Sequence, residues 1–145
     1  MKRSLIAVVC ALLAVSLWSA PAKKASVKWL SDVSAAQKSL KNKKQSILLF
    51  FTAPGWCGPC RMLESGPVAS AKFAKIVKAN AAVKADYSDR RNVSEANKAL
   101  LREFKVEGFP TLIVLDSKGK EKGRIVGYRP EKNYLSELEK LVKSK

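Results

Sequence analysis

Ile47-Leu48-Leu49-Phe50-Phe51-Thr52-Ala53-Pro54-Gly55-Trp56-Cys57-Gly58-Pro59-Cys60 is the stretch on which the reading of this chain turns. Its first five residues are an unbroken apolar run, the pattern of a strand buried on both faces. A Pro/Gly-containing connection follows, then two cysteines three residues apart, and Arg61-Met62-Leu63-Glu64 continues as helix. A cysteine at a helix start meets unpaired N–H groups and the positive end of the helix dipole, which favour a thiolate on the first sulfur. A thiolate that attacks a disulfide, with a second thiol three residues on to release the product, is a dithiol–disulfide exchange device.

Other uses of this cysteine spacing fail on ligand count. A structural zinc site takes four Cys or His ligands, and the chain has no histidine and only one further cysteine, Cys10. A c-type haem attachment needs His after the second Cys, where Arg61 stands. An iron–sulfur cluster also lacks ligands, so no metal is expected. The redox reading makes Cys57 the attacking thiolate and Cys60 the resolving thiol. Pro59 fixes φ and lacks an N–H, which shapes the active-site turn. Gly58 leaves room beside the sulfurs. Trp56 is either a core aromatic or, beside the nucleophile, part of the surface that a client meets.

Working outward, residues 27–30 read as an edge strand. Ser31 or Asp32 caps a helix running to about Leu40, with Val33, Ala36, Gln37 and Leu40 on one side. Ser65-Gly66-Pro67 interrupts the helix after the motif, because a proline starts a helix more readily than it continues one. Residues 68–78 then read as helix and residues 81–87 as strand. A polar loop and a helix from Ser94 to Phe104 come next. Gly108-Phe109-Pro110 breaks the pattern before an apolar strand at 111–115. Asp116-Ser117-Lys118-Gly119 is a turn signal, residues 122–128 a hairpin partner, and Pro130 opens a last helix with Leu135, Leu138 and Val142 on one face. Periodicity by itself thus yields an α/β domain ending in a hairpin, in the order β-α-β-α-β-α-β-β-α.

The N-terminal 22 residues read as a secretory signal: Lys2 and Arg3, an apolar run over residues 5–17 broken only by Ser16, then Ala20-Pro21-Ala22. Cutting near Ala22 leaves one domain over residues 23–145, placed in the periplasm or secreted. The alternative on these lengths is an uncleaved N-terminal anchor facing outside. Cys10 lies within the apolar run with no lipidation pattern before it. Removing the signal leaves Cys57 and Cys60 as the only cysteines, so the one disulfide is the functional one. Without Lys2 and Arg3 the 28 basic residues fall to 26, against 12 acidic. Such an excess attracts nucleic acid, anionic lipid or acidic proteins. These residues are scattered, with Lys41-Asn42-Lys43-Lys44 the densest cluster, and read as a solvated basic surface with no specific nucleic acid partner.

The Trp56-to-Cys60 string and the later Phe109-Pro110-Thr111 together resemble the thioredoxin family, over roughly residues 44–142. The resemblance implies the thioredoxin fold: a central mixed β-sheet flanked by helices. It implies a cis proline at Pro110 facing the Cys pair, and a client-docking role for Phe109, Pro110 and Thr111 through strand-like backbone hydrogen bonds. The residues between strand and motif are one longer than usual, and residues 86–104 are extended. Both features are similar to the secreted thioredoxin-like subfamily, which includes the terminal domains of transmembrane disulfide reductases. Thioredoxins bury an Asp beneath the second cysteine; here strand alignment places Phe50 there. Glu64, one turn after Cys60, is then a substitute proton acceptor or, more ordinarily, a solvated helix carboxylate.

The resemblance implies a monomeric thiol–disulfide oxidoreductase with no cofactor beyond the Cys57–Cys60 disulfide. Its partners are client proteins with disulfides or dithiols, and a membrane-embedded disulfide reductase as electron donor. The Gly-Pro dipeptide resembles that of reducing thioredoxins. An oxidase, an isomerase, or a non-catalytic binding module with a basic docking surface are the other readings.

Overall fold

A computed structural model describes residues 25–144. The expected signal, its expected cleavage near Ala22 and Cys10 lie outside the described residues. The elements are α1 (Val33–Ser39), β1 (Ile47–Thr52), α2 (Gly58–Ser65), a 3-10 turn (Pro67–Ala69), α3 (Ala71–Lys78), β2 (Ala81–Asp86), α4 (Glu95–Glu103), β3 (Thr111–Leu115), β4 (Glu121–Val126) and α5 (Glu131–Lys143).

The sheet runs β2-β1-β3-β4, with β1 and β2 parallel and the other pairs antiparallel. β1 sits in the middle, and all six of its residues are buried. Its side chains alternate between two cores. Ile47, Leu49 and Phe51 join Ala36 of α1, and Leu100, Leu101 and Phe104 of the α4 segment pack against them. Leu48 and Phe50 meet Leu63, Phe73, Tyr134 and Leu138 from α2, α3 and α5. Helices on both faces explain why this strand is continuously apolar rather than alternating. Each large side chain so buried contributes about 1.5–3 kcal/mol.

Helix ends follow local chemistry. Asp32 caps α1 through Ala35 N–H at 2.7 Å, and these bonds hold the Asp32 carboxyl below its ordinary range. Pro67 does not restart a long helix: it opens the 3-10 turn, and α3 begins only after Ser70, whose hydroxyl accepts from Phe73 N–H at 3.1 Å. Ser94 caps α4. Gly123 permits close contact between β4 and α5, since a Cβ there would lie 2.6 Å from Leu141 Cδ2.

The expected edge strand at residues 27–30 is reduced to one parallel bridge between Leu30 and Val83, with Leu30 N–H donating to Ala82 O at 2.8 Å. Side chains hold this segment instead of a ladder. Trp29 stacks on Phe50 at 5.9 Å between centroids and approaches Phe73 at 6.2 Å, while Leu30 packs on the opposite core.

Candidate active site

β1 ends at Thr52, and its carbonyl accepts from Tyr87 N–H at 2.8 Å just past the end of β2. The turn that follows is tied at both sides. The Ala53 carbonyl accepts from the N–H groups of Trp56 and Cys57 at 3.1 and 2.9 Å. Gly55 N–H donates to Ser88 Oγ at 3.1 Å. A Cβ at Gly55 would sit 2.9 Å from Ser88 Cβ, so the residue that lengthens this turn must be small. The result delivers Cys57 to the N-cap of α2.

Cys57 and Cys60 are joined in a disulfide. Cys60 N–H points at Cys57 Sγ, 3.2 Å away. Cys57 remains 7 % exposed, whereas Cys60 is at 0 %. The first sulfur therefore has an entry path and the second has none. When the bond is reduced, charge on Cys57 Sγ meets the Cys60 N–H and the helix N-terminus, both of which stabilise it. Pro59 lies in the first turn of α2. A Cβ at Gly58 would meet only Arg61 Nη2, at 3.9 Å; within the fold nothing crowds that position.

The Phe109–Pro110 peptide is cis, and the Phe109 carbonyl oxygen lies 3.7 Å from Cys57 Sγ. Two segments 52 residues apart thus meet at Cys57 Sγ. Thr111 starts β3 with its side chain buried, donating to Gly108 O at 2.8 Å. Its hydroxyl holds the turn, rather than facing solvent.

Trp56 is no core aromatic: it is 39 % exposed. Its indole N–H donates to Tyr87 O at 2.9 Å. Its ring meets Phe109 edge-on at 5.7 Å between centroids, and Arg90 lies over its face at 3.9 Å. Tyr87 backs Phe109 at 5.0 Å and stacks on Phe51. Burial pushes the Tyr87 hydroxyl up to about 12, and it donates to Asn97 O at 2.8 Å. Tyr87 and Arg90 were not singled out from sequence. The usable signal was the position of Tyr87 directly after a strand that runs parallel to β1 and ends beside the motif.

Glu64 is not a solvated carboxylate. Thr52 Oγ1 donates to its Oε1 at 2.6 Å, and Lys84 Nζ lies 2.7 Å from its Oε2. Both ion-pair side chains are about three-quarters covered. Phe50 is fully buried and pairs across the strands with Lys84. The carboxylate beside Lys84 therefore comes from α2, not from the β1 position that Phe50 occupies. Among the described residues no cluster of three or more His, Cys, Asp or Glu could hold a metal.

A thioredoxin-like domain family matches residues 33–142. The chain belongs to the thioredoxin-like family. A disulfide bond reductase, DsbH, of Chlamydia pneumoniae is 28 % identical over 85 % of this chain and 77 % of its own length. A thioredoxin of Griffithsia pacifica is 31 % identical over 71 % of this chain and 84 % of its own. A solved DsbH oxidoreductase superposes with a TM-score of 0.69 at 25 % identity, covering 89 % of this chain and 94 % of that one. With the bonded Cys57–Cys60 pair in place, this thioredoxin-like protein is a thiol–disulfide oxidoreductase.

Proposed function

We propose that the protein reduces protein disulfides outside the cytoplasm, with Cys57 as nucleophile, Cys60 as resolving thiol and no cofactor beyond this pair. The seating of Cys57 carries the reading: it is the less buried member of the pair, caps α2 and receives the Cys60 N–H. Among the described residues the large exposed apolar side chains are Trp56, Met62, Val126 and Tyr128. Trp56 and Met62 flank the motif in sequence, and Val126 pairs with Thr111 beside the cis proline. They suit an unfolded or loop segment of a client, docked against Phe109 and Pro110. The Gly58-Pro59 dipeptide and the similarity to a protein named as a disulfide bond reductase support the reducing direction. The signal-like residues 1–22 support export, and a dithiol used up outside the cytoplasm requires a donor, for which a membrane-embedded disulfide reductase is suited. Among the described residues, no helix is long and apolar enough to cross a membrane.

Catalysed reduction of insulin by dithiothreitol, together with the equilibrium potential of the pair against glutathione, tests this reading. A potential as oxidising as that of dedicated disulfide donors, about −120 mV, would replace reductase by oxidase. The nucleophile is checked separately. Brief iodoacetamide treatment of the reduced protein near neutral pH will label Cys57 ahead of Cys60, read by peptide mass. Labelling of Cys60 first reverses the roles.

Glu64 lies one turn beyond Cys60 on α2 and is held by Thr52 and Lys84. It is the carboxylate suited to take the Cys60 proton as that thiol becomes the second nucleophile. Glu64→Gln keeps the shape and removes the base. Turnover at neutral pH is expected to fall about 100-fold, with Cys57 alkylation unchanged and the loss shrinking as pH rises. An unaltered pH–rate profile would leave Glu64 only its structural pairing with Lys84.

A further inference from the structure

The end of the sheet opposite Cys57 has a character of its own. β1 and β4 begin there, β3 ends there, and α1, α3 and α5 all finish there. Three helix C-termini explain a lysine each, because cations offset the negative end of the dipole. The number present goes well beyond that. Lys43, Lys44, Lys118, Lys122 and Lys143 line one hollow of about 790 Å3, in which Asp116 is the only acid. A second hollow of about 590 Å3 adds Lys28, Lys41, Lys75 and Lys78 with no acid at all. The two share Gln45 and Asn80 and form one continuous face.

This charge is not neutralised within the protein. The ion pairs among the described residues are Lys72–Glu139, Lys84–Glu64, Lys98–Glu95, Arg124–Glu121 and Arg129–Glu137. None uses a lysine lining those two hollows. Asp116 is itself occupied, accepting from the N–H groups of Lys118 and Lys120. At the cysteine end the signs are mixed, with Arg90 and Arg91 beside Asp86 and Asp89.

We infer that this lysine face docks on an anionic phospholipid surface, with the Cys57 end directed away from it. Two observations choose a lipid surface over other polyanions. The cations lining the face are all lysines, while every arginine in the described residues lies elsewhere. Arginine forks suit fixed phosphate and nucleic-acid geometry; lysine point charges suit diffuse attraction to a charged plane, at which each basic residue near the surface contributes roughly a factor of five in affinity. The chain also enters the domain at this face. Ser26, Val27 and Lys28 line the second hollow, and residues 18–25, which join them to the apolar stretch at 5–17, reach at most about 29 Å. With that stretch retained in a bilayer, the domain stands with its lysines nearest the headgroups. The six residues of β1 then hold the active site about 20 Å further out.

The test is flotation of the full chain, expressed with its leader and purified from cells, on vesicles of neutral phosphatidylcholine with or without 30 % phosphatidylglycerol. Binding to the anionic vesicles is expected, weakening as salt rises from 50 to 500 mM. The combined Lys43→Gln, Lys44→Gln, Lys118→Gln, Lys143→Gln variant should bind at least about 100-fold more weakly and retain full insulin reduction. A control with the same charge change elsewhere, Arg91→Gln, Arg102→Gln, Lys105→Gln, Lys132→Gln, should keep most of the binding. Equal loss in both variants would make net charge, not this face, responsible and overturn the inference. Equal flotation on neutral vesicles, or retention on heparin with no vesicle binding, would overturn it as well.

Discussion

The Cys60→Ser protein, expressed as the full chain, will accumulate in mixed disulfides with its clients. On the proposed assignment, the Cys57 thiolate of the reduced enzyme attacks one sulfur of a client disulfide. A Cys57–client bond forms as the client S–S bond breaks, and the client's other sulfur leaves as a thiolate. Cys60 then loses its proton and attacks Cys57 Sγ. That step closes the Cys57–Cys60 bond, frees the second client thiol and leaves the client with two more electrons. Serine at 60 removes the second step alone, since Cys57 keeps its place at the α2 N-cap and the N–H of residue 60 is retained. Non-reducing gels should show higher-mass adducts that dithiothreitol dissolves, and mass spectrometry of these identifies clients and electron donor. Cys57→Ser should give almost none, because Cys60 is fully buried, and should lower insulin reduction to the dithiothreitol background. Equal, negligible adducts from both variants, with salt-sensitive capture of partners intact, would replace catalysis by the binding-module reading.

Phe51→Ala is expected to cost about 3–5 kcal/mol of stability, a large share of the 5–15 kcal/mol typical of a domain. Phe51 is fully buried in the central strand. It stacks on Tyr87 at 6.2 Å between centroids and meets Phe104 edge-on at 6.4 Å, so truncation leaves a cavity between β1 and α4. Urea unfolding should show a lowered midpoint with an unchanged slope. The effect should also reach the active site, since Tyr87 backs Phe109 and its carbonyl holds the Trp56 indole. Client turnover should fall in the folded fraction. A midpoint shift equivalent to less than about 1 kcal/mol would show that the aromatic row does not act as a packed unit.

Several expectations from sequence carried over directly because their physics is short-ranged. The strand at residues 47–51, the helix start at Ser31 or Asp32, the helix from Ser94, the interruption at Gly66-Pro67 and the turn at Asp116-Gly119 each depend on a few neighbouring residues. The segment at 27–30 did not become a full strand, since its place depends on Trp29 reaching Phe50 and Phe73. The helix expected over 68–78 began later, because Ser70 offers a hydroxyl cap that Pro67 cannot.

By itself the sequence determined the chemistry: two cysteines on one helix turn, with no histidine to complete a zinc site, after a strand that demands cover on both faces. Such a motif is complete within four residues, so no fold is needed to read it. The tertiary structure alone decided what surrounds it. Phe109 O meets Cys57 Sγ across 52 residues, Lys84 meets Glu64 across 20, and Arg90 settles over Trp56. It also gathered scattered lysines onto the face opposite the cysteines. The reason is geometric: periodicity records which side of its own element a residue faces, while the residue it meets is set by sheet order and register, which long-range packing selects.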